Sequence, residues 1–224
     1  MARVKNKASQ CVLIGDVVGS RGSADRHALH RALEDGLAGV DAAVPAIAGL
    51  RVTVGDEFQA SYASLGDALE AALRVRLALL PEVDTRIGVG RGPVTTLDAE
   101  RGIEDGPGWW AARDAIEAAE EAADRPATRH LRTTYRVAPD AGGASAAGAS
   151  SEDAINAALL CRDHLVGSMS ERSIRLLRGL MEPHTTQGEL AAREGISASA
   201  VSQRVRADGI GAVLAAQALL RGLA

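Results

Sequence analysis

The sequence predicts an α+β fold with a ferredoxin-like sheet, followed by a small all-α domain. The first 138 residues alternate β and α patterns in the order that builds such a sheet. Residues 139–151 contain no bulky apolar side chain, which is typical of a flexible loop or linker. Residues 152–224 carry helical patterns throughout. We therefore expect two domains, at residues 1–138 and 152–224.

Composition indicates an ordinary globular protein of 224 residues, with 46% hydrophobic and 24% charged residues. A net charge of −4 excludes a protein whose whole surface binds nucleic acid, although residues 160–224 alone are weakly basic. The two cysteines, Cys11 and Cys161, are far apart, which excludes a disulfide scaffold and favours a cytoplasmic protein. No apolar stretch approaches the ~20 residues of a membrane span.

Apolar periodicity places the elements of the first domain. Residues 11–18 form a continuous apolar run, and residues 50–55 and 57–62 alternate around a Gly-Asp turn, which predicts a strand followed later by a hairpin. Leucines recur at helical spacing after the first strand and from Leu65 to Leu80. Further strands are predicted at 85–90 and 131–137, with a helix at 109–123 between them. The result is a β-α-β-β-α-β order plus one helix and one strand, with the helices on one face of the sheet.

Two carboxylates interrupt apolar β segments, Asp16 in the first strand and Asp56 in the hairpin turn. Burying an unpaired charge is costly, so such groups persist near an interior when they are paired or hold a cation. If the two strands are neighbours, the carboxylates meet and can bind a divalent metal. Asp56 is equally compatible with ordinary turn chemistry. Glu57 is expected to point to the opposite side of its strand.

A phosphate group is expected beside Asp16, because a glycine-containing turn and a helix start follow the first strand. The backbone N–H groups around Gly19 and Ser20 would bind the phosphate, and Arg21 adds a positive charge. Arg113 lies beside the apolar face of the helix at 109–123. It either extends along that face into solvent or reaches into the site.

A helix-turn-helix is predicted in the C-terminal segment. Thr186 and Glu189 form a capping box, Gly195 ends the first helix, and Ser197 can cap the second, in which Val201 would be buried. The alternative is an ordinary αα-hairpin with a solvated face.

DNA contacts are expected from the outer face of the second helix. The residues on that face that can contact bases or phosphates are Ser202, Gln203, Arg204 and Arg206. The apolar segment 210–223 is either a dimer helix, giving a homodimer, or packs back onto the helix-turn-helix.

Four segments resemble nucleotidyl cyclases. Residues 14–20 (IGDVVGS) resemble the first-strand motif of class III nucleotidyl cyclases, and residues 54–58 (VGDEF) resemble both their hairpin and the signature of GGDEF diguanylate cyclases. Residues 86–92 (RIGVGRG) are similar to the following strand, and 106–113 (GPGWWAAR) resemble the segment with the catalytic arginine. The resemblance implies a cyclase-like sheet, Asp16 and Asp56 as ligands for Mg²⁺ or Mn²⁺, and Arg113 as the catalytic arginine.

The order of the two domains resembles that of the SatD family, which combines a cyclase-like domain with a C-terminal helix-turn-helix. The chain departs from purine-selecting cyclases at two positions. Val52 stands where they have a lysine, and Trp109 stands where they have an asparagine. These departures favour ligand binding over turnover, although a tryptophan that stacks on a base would give a changed specificity.

The sequence thus predicts a cytoplasmic regulator in which metal-dependent binding of a nucleotide, or of another phosphorylated small molecule, controls DNA binding. The alternative is an active nucleotidyl cyclase or related nucleotidyltransferase that uses two divalent ions. A third possibility is a scaffold whose helix-turn-helix mediates dimerisation. No membrane partner is expected.

Overall fold

The protein is described here from a computed structural model, which describes residues 9–22, 25–141 and 146–224. The strands are β1 Ser9–Val17, β2 Ala48–Val52, β3 Phe58–Tyr62, β4 Thr85–Pro93, β5 Thr95–Asp98, β6 Ile103–Asp105 and β7 Thr133–Val137. The helices are α1 Arg26–Ala43, α2 Leu65–Leu79, α3 Pro107–Ala123, α4 Ala146–Gly167, α5 Glu171–Leu180, α6 Gln187–Glu194, α7 Ala198–Ala207 and α8 Ile210–Arg221.

The main sheet has five strands in the order β2-β3-β1-β4-β7. β1 lies in the centre, antiparallel to β3 and β4, while β2 pairs antiparallel with β3 and β7 joins β4 in parallel. The chain runs through β1-α1-β2-β3-α2-β4, which is a ferredoxin-like unit. The predicted α+β fold is confirmed. The two-stranded ribbon of β5 and β6 was not predicted, because its strands are only three or four residues long.

The helices cover both faces of the main sheet, which corrects the prediction of one covered face. Along β1, Leu13 and Val17 pack into one core with α1 and α2. Val12 and Ile14 pack on the opposite face against α3, where Trp109 is buried. Alternate residues of a strand point to opposite faces. The unbroken apolar run of β1 is therefore explained by burial on both faces.

The linker predicted at 139–151 is shorter in the structure, because α4 begins at Ala146. Residues 139–141 form a 3₁₀ turn, and 142–145 lie outside the described residues. The segment that joins α4 is rich in alanine, which has the highest intrinsic helix propensity. A flexible loop was predicted because the segment has no bulky apolar residues, and that criterion does not take the helix propensity of alanine into account.

The C-terminal helices share their core with the sheet domain. Leu73 and Leu77 of α2 pack in one cluster with apolar side chains of α5, α6, α7 and α8. Leu159 of α4 and Leu220 of α8 join the core under the sheet. α8, for which a dimer contact was one expectation, packs within the chain against α2, α4, α5 and α7. The division into two domains stays a prediction, and the packing across it is continuous.

Candidate functional site

Asp16 lies near the end of β1, directly opposite Arg86 of β4. Its Oδ1 is buried and has no hydrogen-bond partner among the described residues, while its Oδ2 lies 3.6 Å from Arg86 Nη1. Burial raises the pKa of this carboxyl, Arg86 opposes that rise, and Asp56, Glu120 and Glu57 add to it. A buried carboxylate oxygen without a partner costs stability, so the position favours a bound cation.

Asp56 lies in the turn between β2 and β3, and the turn folds back onto the end of β1. Gly55 has a φ of +66°, which glycine adopts at little cost. Asp56 Oδ2 accepts a hydrogen bond from the Val17 N–H at 3.2 Å. Phe58, two residues after Asp56, is paired with Gly15 of β1, and a side chain at position 15 would collide with its ring. Asp16 and Asp56 are thus brought to the same end of the sheet.

Glu57 contacts α3 and belongs to the turn, because β3 begins only at Phe58. Asp56 instead lines a cavity with residues of α1, and the expectation that the two side chains point to opposite sides stays a prediction. The Glu57 carboxylate accepts hydrogen bonds from both terminal nitrogens of Arg113, at 2.9 and 3.2 Å. The hydrogen bonding to Glu57 raises the pKa of Arg113, and Asp16 contributes to the same rise. Arg113 therefore belongs to the carboxylate cluster.

The approach of α3 to β4 depends on glycines and places Arg113 at the site. A Cβ on Gly88 would lie 2.3 Å from the backbone oxygen of Ala112, and one on Gly90 would lie 2.2 Å from that of Gly108. Any side chain there would push the helix away from the strand. These glycines follow the period of two on one face of β4.

Trp109, at the position where cyclases have an asparagine, is buried. It belongs to the apolar cluster with Val12, Ile14 and Ile116, and its side chain is directed into the core. A stacking role of Trp109 on a base is therefore not available in this structure. Val52 packs against the core on the other face of the sheet.

The turn after β1 contains the glycine and the helical turn that were predicted to follow the strand, and phosphate binding there stays a prediction. Gly19 has a φ of +71°, and residues Ser20–Gly22 form a 3₁₀ helix closed by a hydrogen bond from the Gly22 N–H to the Gly19 carbonyl, at 2.9 Å. The Ser20 side chain is buried. The Arg21 side chain lies outside the described part of the structure.

Arg86, His27 and His30 also lie near the site, although no role was predicted for them from the sequence. Arg86 bridges Asp16 and Glu120, with its Nη1 at 2.6 Å from Glu120 Oε1. His27 and His30 line a cavity of about 350 Å³ together with Asp56. The cross-strand pairing of Arg86 with Asp16 was foreseeable once β1 and β4 were taken as neighbours.

The donor set fits a cation that is shared with a ligand. Among the described residues, no group of three or more His, Cys, Asp or Glu side chains is arranged to hold a metal ion. Mg²⁺ in phosphate-binding proteins is often held by one or two carboxylates together with phosphate oxygens and water. Asp16 and Asp56 are the two carboxylates that would hold such an ion.

The second predicted surface lies on α7, which follows α6 after the short turn 195–197. The capping box between Thr186 and Glu189 is present, and Gly195 has a φ of +64°. Val201 is fully buried. These local features of the predicted helix pair are confirmed, whereas a separate domain built on them stays a prediction.

The four predicted DNA contacts of α7 lie at or near its surface. Gln203 and Arg206 are exposed, and Arg206 Nη1 donates to Ser202 Oγ at 2.9 Å. Arg204 is partly exposed and lies 3.3 Å from the Asp208 carboxylate. Neither arginine is buried against the sheet domain. Their role in binding DNA stays a prediction.

Within the described ranges, no helix has the length and apolarity needed to cross a membrane. None of the curated proteins compared with the chain matches it.

Solved structures that resemble the chain include nucleotidyl cyclases. One is the catalytic core of a rhodopsin-guanylyl cyclase with converted specificity in complex with ATPαS, with 19% identity, a TM-score of 0.43, and coverage of 50% of this chain and 73% of that chain. Two structures of a bacterial light-regulated adenylyl cyclase show 12% identity and TM-scores of 0.45 and 0.44. The match covers 59% of this chain and 44% of each of those chains. Likeness at this level describes only a partial overlap of folds.

A family model covers almost the whole sequence. The model described as "SatD family" matches residues 10–220. The protein therefore belongs to the SatD family.

Proposed function

We propose that this SatD protein binds a nucleotide or another phosphorylated small molecule together with Mg²⁺ or Mn²⁺ at Asp16 and Asp56, and that this binding controls DNA binding by α6 and α7. The observation that supports the ligand site best is the buried Oδ1 of Asp16, which has no partner among the described residues. Asp56, which accepts a hydrogen bond from the Val17 N–H, lies at the same end of the sheet.

Each group of the site has a distinct task in this proposal. Asp16 and Asp56 hold the cation, which would neutralise phosphate charge. The backbone around Gly19 and Ser20 donates N–H groups to the phosphate. Arg113 supplies a planar guanidinium that binds phosphate oxygens in pairs.

A chain of ion pairs connects this site with the C-terminal helices. The Val18 N–H donates to the Asp84 carbonyl at 2.9 Å. The Asp84 carboxylate contacts Arg76 of α2 at 2.7 Å and Arg132 at 2.9 Å. Arg76 also lies 3.5 Å from Asp163 of α4. A displacement of the turn after β1 would therefore change the contacts made by α2 and α4.

The chain of contacts continues into α8. Asp163 and its neighbour Arg162 are both fully buried, with 3.1 Å between the guanidinium and the carboxylate. Arg162 also donates to Gln217 Oε1 of α8 at 3.1 Å. Since α8 packs directly on α7, the ligand site and the proposed DNA surface are joined by contacting groups. Chains of packed and hydrogen-bonded side chains are one route by which two sites can be coupled.

The DNA surface is proposed from the form and charge of α7. A second helix that follows a short turn and leaves Gln203 and Arg206 exposed suits entry into the major groove. Glutamine and arginine are side chains that contact base edges and phosphates. The two free cysteines, one buried and one exposed, suit the proposed cytoplasmic setting.

The experiment has two steps. A thermal-shift screen of nucleoside triphosphates, nucleoside monophosphates and pyrophosphate, each with Mn²⁺ and with EDTA, should find a ligand that raises Tm only with the cation. Genomic DNA selection on immobilised protein, with and without that ligand, should then recover an enriched sequence whose affinity the ligand changes. The absence of any stabilising phosphorylated ligand would refute the ligand site. Equal DNA affinity in both conditions would refute the coupling.

A further inference from the structure

The carboxylate of Glu57 is paired with the guanidinium of Arg113 at the proposed site. Both terminal nitrogens of Arg113 donate to Glu57, at 2.9 and 3.2 Å, so the face that would bind a phosphate is already engaged. Glu57 is held through its backbone. The Thr53 N–H donates to its carbonyl at 2.8 Å, and its own N–H donates to the Val54 carbonyl at 3.0 Å.

We infer that Glu57 makes phosphate binding conditional on the divalent cation, by keeping Arg113 paired until a cation is bound at Asp16 and Asp56. This inference rests on the proposed function. Without the cation, a phosphate entering the site would meet the carboxylates of Asp16, Asp56 and Glu57. The two nearby arginines, Arg86 and Arg113, are both already paired with carboxylates.

A cation bound at Asp16 and Asp56 reduces the repulsion between these carboxylates and an entering phosphate. Glu57 follows Asp56 directly in the chain and raises the pKa of Asp16, so it lies within the electrostatic range of that position. The cation gives Glu57 a second positive neighbour and weakens its dependence on Arg113. A phosphate held by the cation then offers Arg113 a new pair of acceptor oxygens. Cation and phosphate therefore bind cooperatively, each favouring the other.

The exchange of partners requires only side-chain motion. The side chains of Arg113 and Glu57 are 46% and 31% exposed. An ion pair that is exposed to this extent contributes little to stability, so it can be exchanged at low cost. The turn that carries Asp56 and Glu57 keeps its backbone hydrogen bonds in both arrangements.

The test uses the variant Glu57→Gln and the probe pyrophosphate, with ATP in parallel, titrated calorimetrically in EDTA and in Mn²⁺. The wild-type protein should bind pyrophosphate at least tenfold more tightly in Mn²⁺ than in EDTA. Glu57→Gln should gain at least tenfold in affinity in EDTA and lose most of the difference between the two conditions. Glu121→Gln removes the same charge from an exposed position on α3 and should behave like the wild type.

A double variant, Glu57→Gln with Arg113→Gln, identifies the group that is released. It should lose the affinity gained in EDTA, because the gain depends on a free guanidinium. Circular dichroism melting of each variant checks that the fold is kept.

The outcomes separate this inference from the proposed function. If the wild type binds with Mn²⁺ while Glu57→Gln gains nothing in EDTA, the inference is wrong and the ligand site stands. If neither protein binds under any condition, both proposals are wrong. Wild-type binding that is equally tight in EDTA and in Mn²⁺ would also overturn the conditional role of Glu57.

Discussion

Asp56 Oδ2 accepts a hydrogen bond from the backbone N–H of Val17, the residue that follows Asp16. This contact fixes a carboxylate of the β2–β3 turn beside the end of β1, across 39 residues of sequence. The Oδ1 of Asp16, which has no hydrogen-bond partner among the described residues, would bind a cation at this end of the sheet. The Asp56 carboxylate is therefore held in place by a backbone group of β1, and a preorganised site requires ligands that are held in this way.

Replacing Asp16 by asparagine should abolish ligand stabilisation that depends on the cation. At a ligand concentration of 100 Kd, binding stabilises a protein by about 2.7 kcal/mol. For a chain of this length that corresponds to a rise in Tm of about 5–11 °C. The wild type should show this rise with Mn²⁺ and ligand, and Asp16→Asn should show none, as measured by thermal shift. A full rise in the variant would remove Asp16 from the site.

The same variant should be more stable than the wild type without metal at neutral pH. Burial raises the pKa of the Asp16 carboxyl, so ionised Asp16 costs stability above that pKa. The wild type should gain stability relative to the variant as pH falls through the raised pKa, and the difference should disappear below the unfolded value of about 3.9. Urea unfolding at pH 7 and pH 4 measures this. If the variant is less stable than the wild type at pH 7, the ionised carboxylate of Asp16 does not lower the stability of the protein, and this prediction is wrong.

Replacing Gly90 by alanine should separate α3 from β4. The added Cβ would lie 2.2 Å from the Gly108 carbonyl and 2.3 Å from the Ala112 nitrogen, and both are backbone atoms that cannot rotate away. Overpacking of this kind costs about 1–3 kcal/mol, occasionally more. Urea denaturation gives the free energy of unfolding, and ligand titration shows whether the displaced Arg113 still contributes.

Gly39→Ala is the matched control for that substitution. Apart from the backbone of the helix itself, no atom of the described residues lies within 4 Å of a Cβ added at this α1 position, and its backbone is helical. Alanine should stabilise the helix there by roughly 0.5–1 kcal/mol. Equal effects of the two substitutions would mean that the glycines of β4 serve no close packing.

The sequence was sufficient for the β-α-β-β-α-β order of the main sheet, and it singled out the two aspartates, whose role as metal ligands stays a prediction. β1 and α2 were predictable because their apolar patterns are long, and Asp16 was conspicuous because it interrupts such a pattern. The direction of Glu57 was harder to predict, because this residue belongs to the turn before β3 and the alternation of a strand does not apply there. The side of the sheet that α3 covers was also missed, since a stripe of glycines on β4 indicates close packing but not which helix packs there.

Conversion of ATP or GTP to a cyclic product should be absent or very slow. Val52 and Trp109 occupy the positions where the resembled cyclases select the base and position the sugar. Trp109 is buried in the core, and Val52 is partly buried against it. Incubation with each nucleoside triphosphate and Mn²⁺, followed by chromatography, measures the product. A cyclic product that disappears in Asp56→Asn would contradict this prediction and make the enzyme the leading hypothesis.

Replacing Asp163 by alanine should strongly destabilise the protein. The carboxylate is fully buried, pairs with Arg162, and accepts hydrogen bonds from the N–H groups of Arg132 and Thr133 at 2.8 and 2.6 Å. Removing one partner of a buried pair leaves an uncompensated charge and costs about 3–5 kcal/mol. Asp153→Ala, at an exposed position of α4, should change the free energy of unfolding by less than about 0.5 kcal/mol. Similar effects in chemical denaturation would show that the buried network does not join α4 to the sheet.

Replacing Arg206 by alanine should weaken DNA binding at every sequence. Successive residues of a helix diverge by about 100°, so Gln203 and Arg206 share one side of α7. A lost phosphate contact should lower the slope of log K against log salt by roughly one unit.

Gln203→Ala should instead cost roughly 1–3 kcal/mol at a single base position. Arg101→Ala removes the same charge at an exposed position far along the chain, between β5 and β6, and should leave the slope unchanged. Fluorescence anisotropy at several salt concentrations separates these outcomes. If genomic selection on the wild type enriches no sequence even at low salt, α7 does not bind DNA, and the hypothesis of a scaffold that dimerises through this region takes its place.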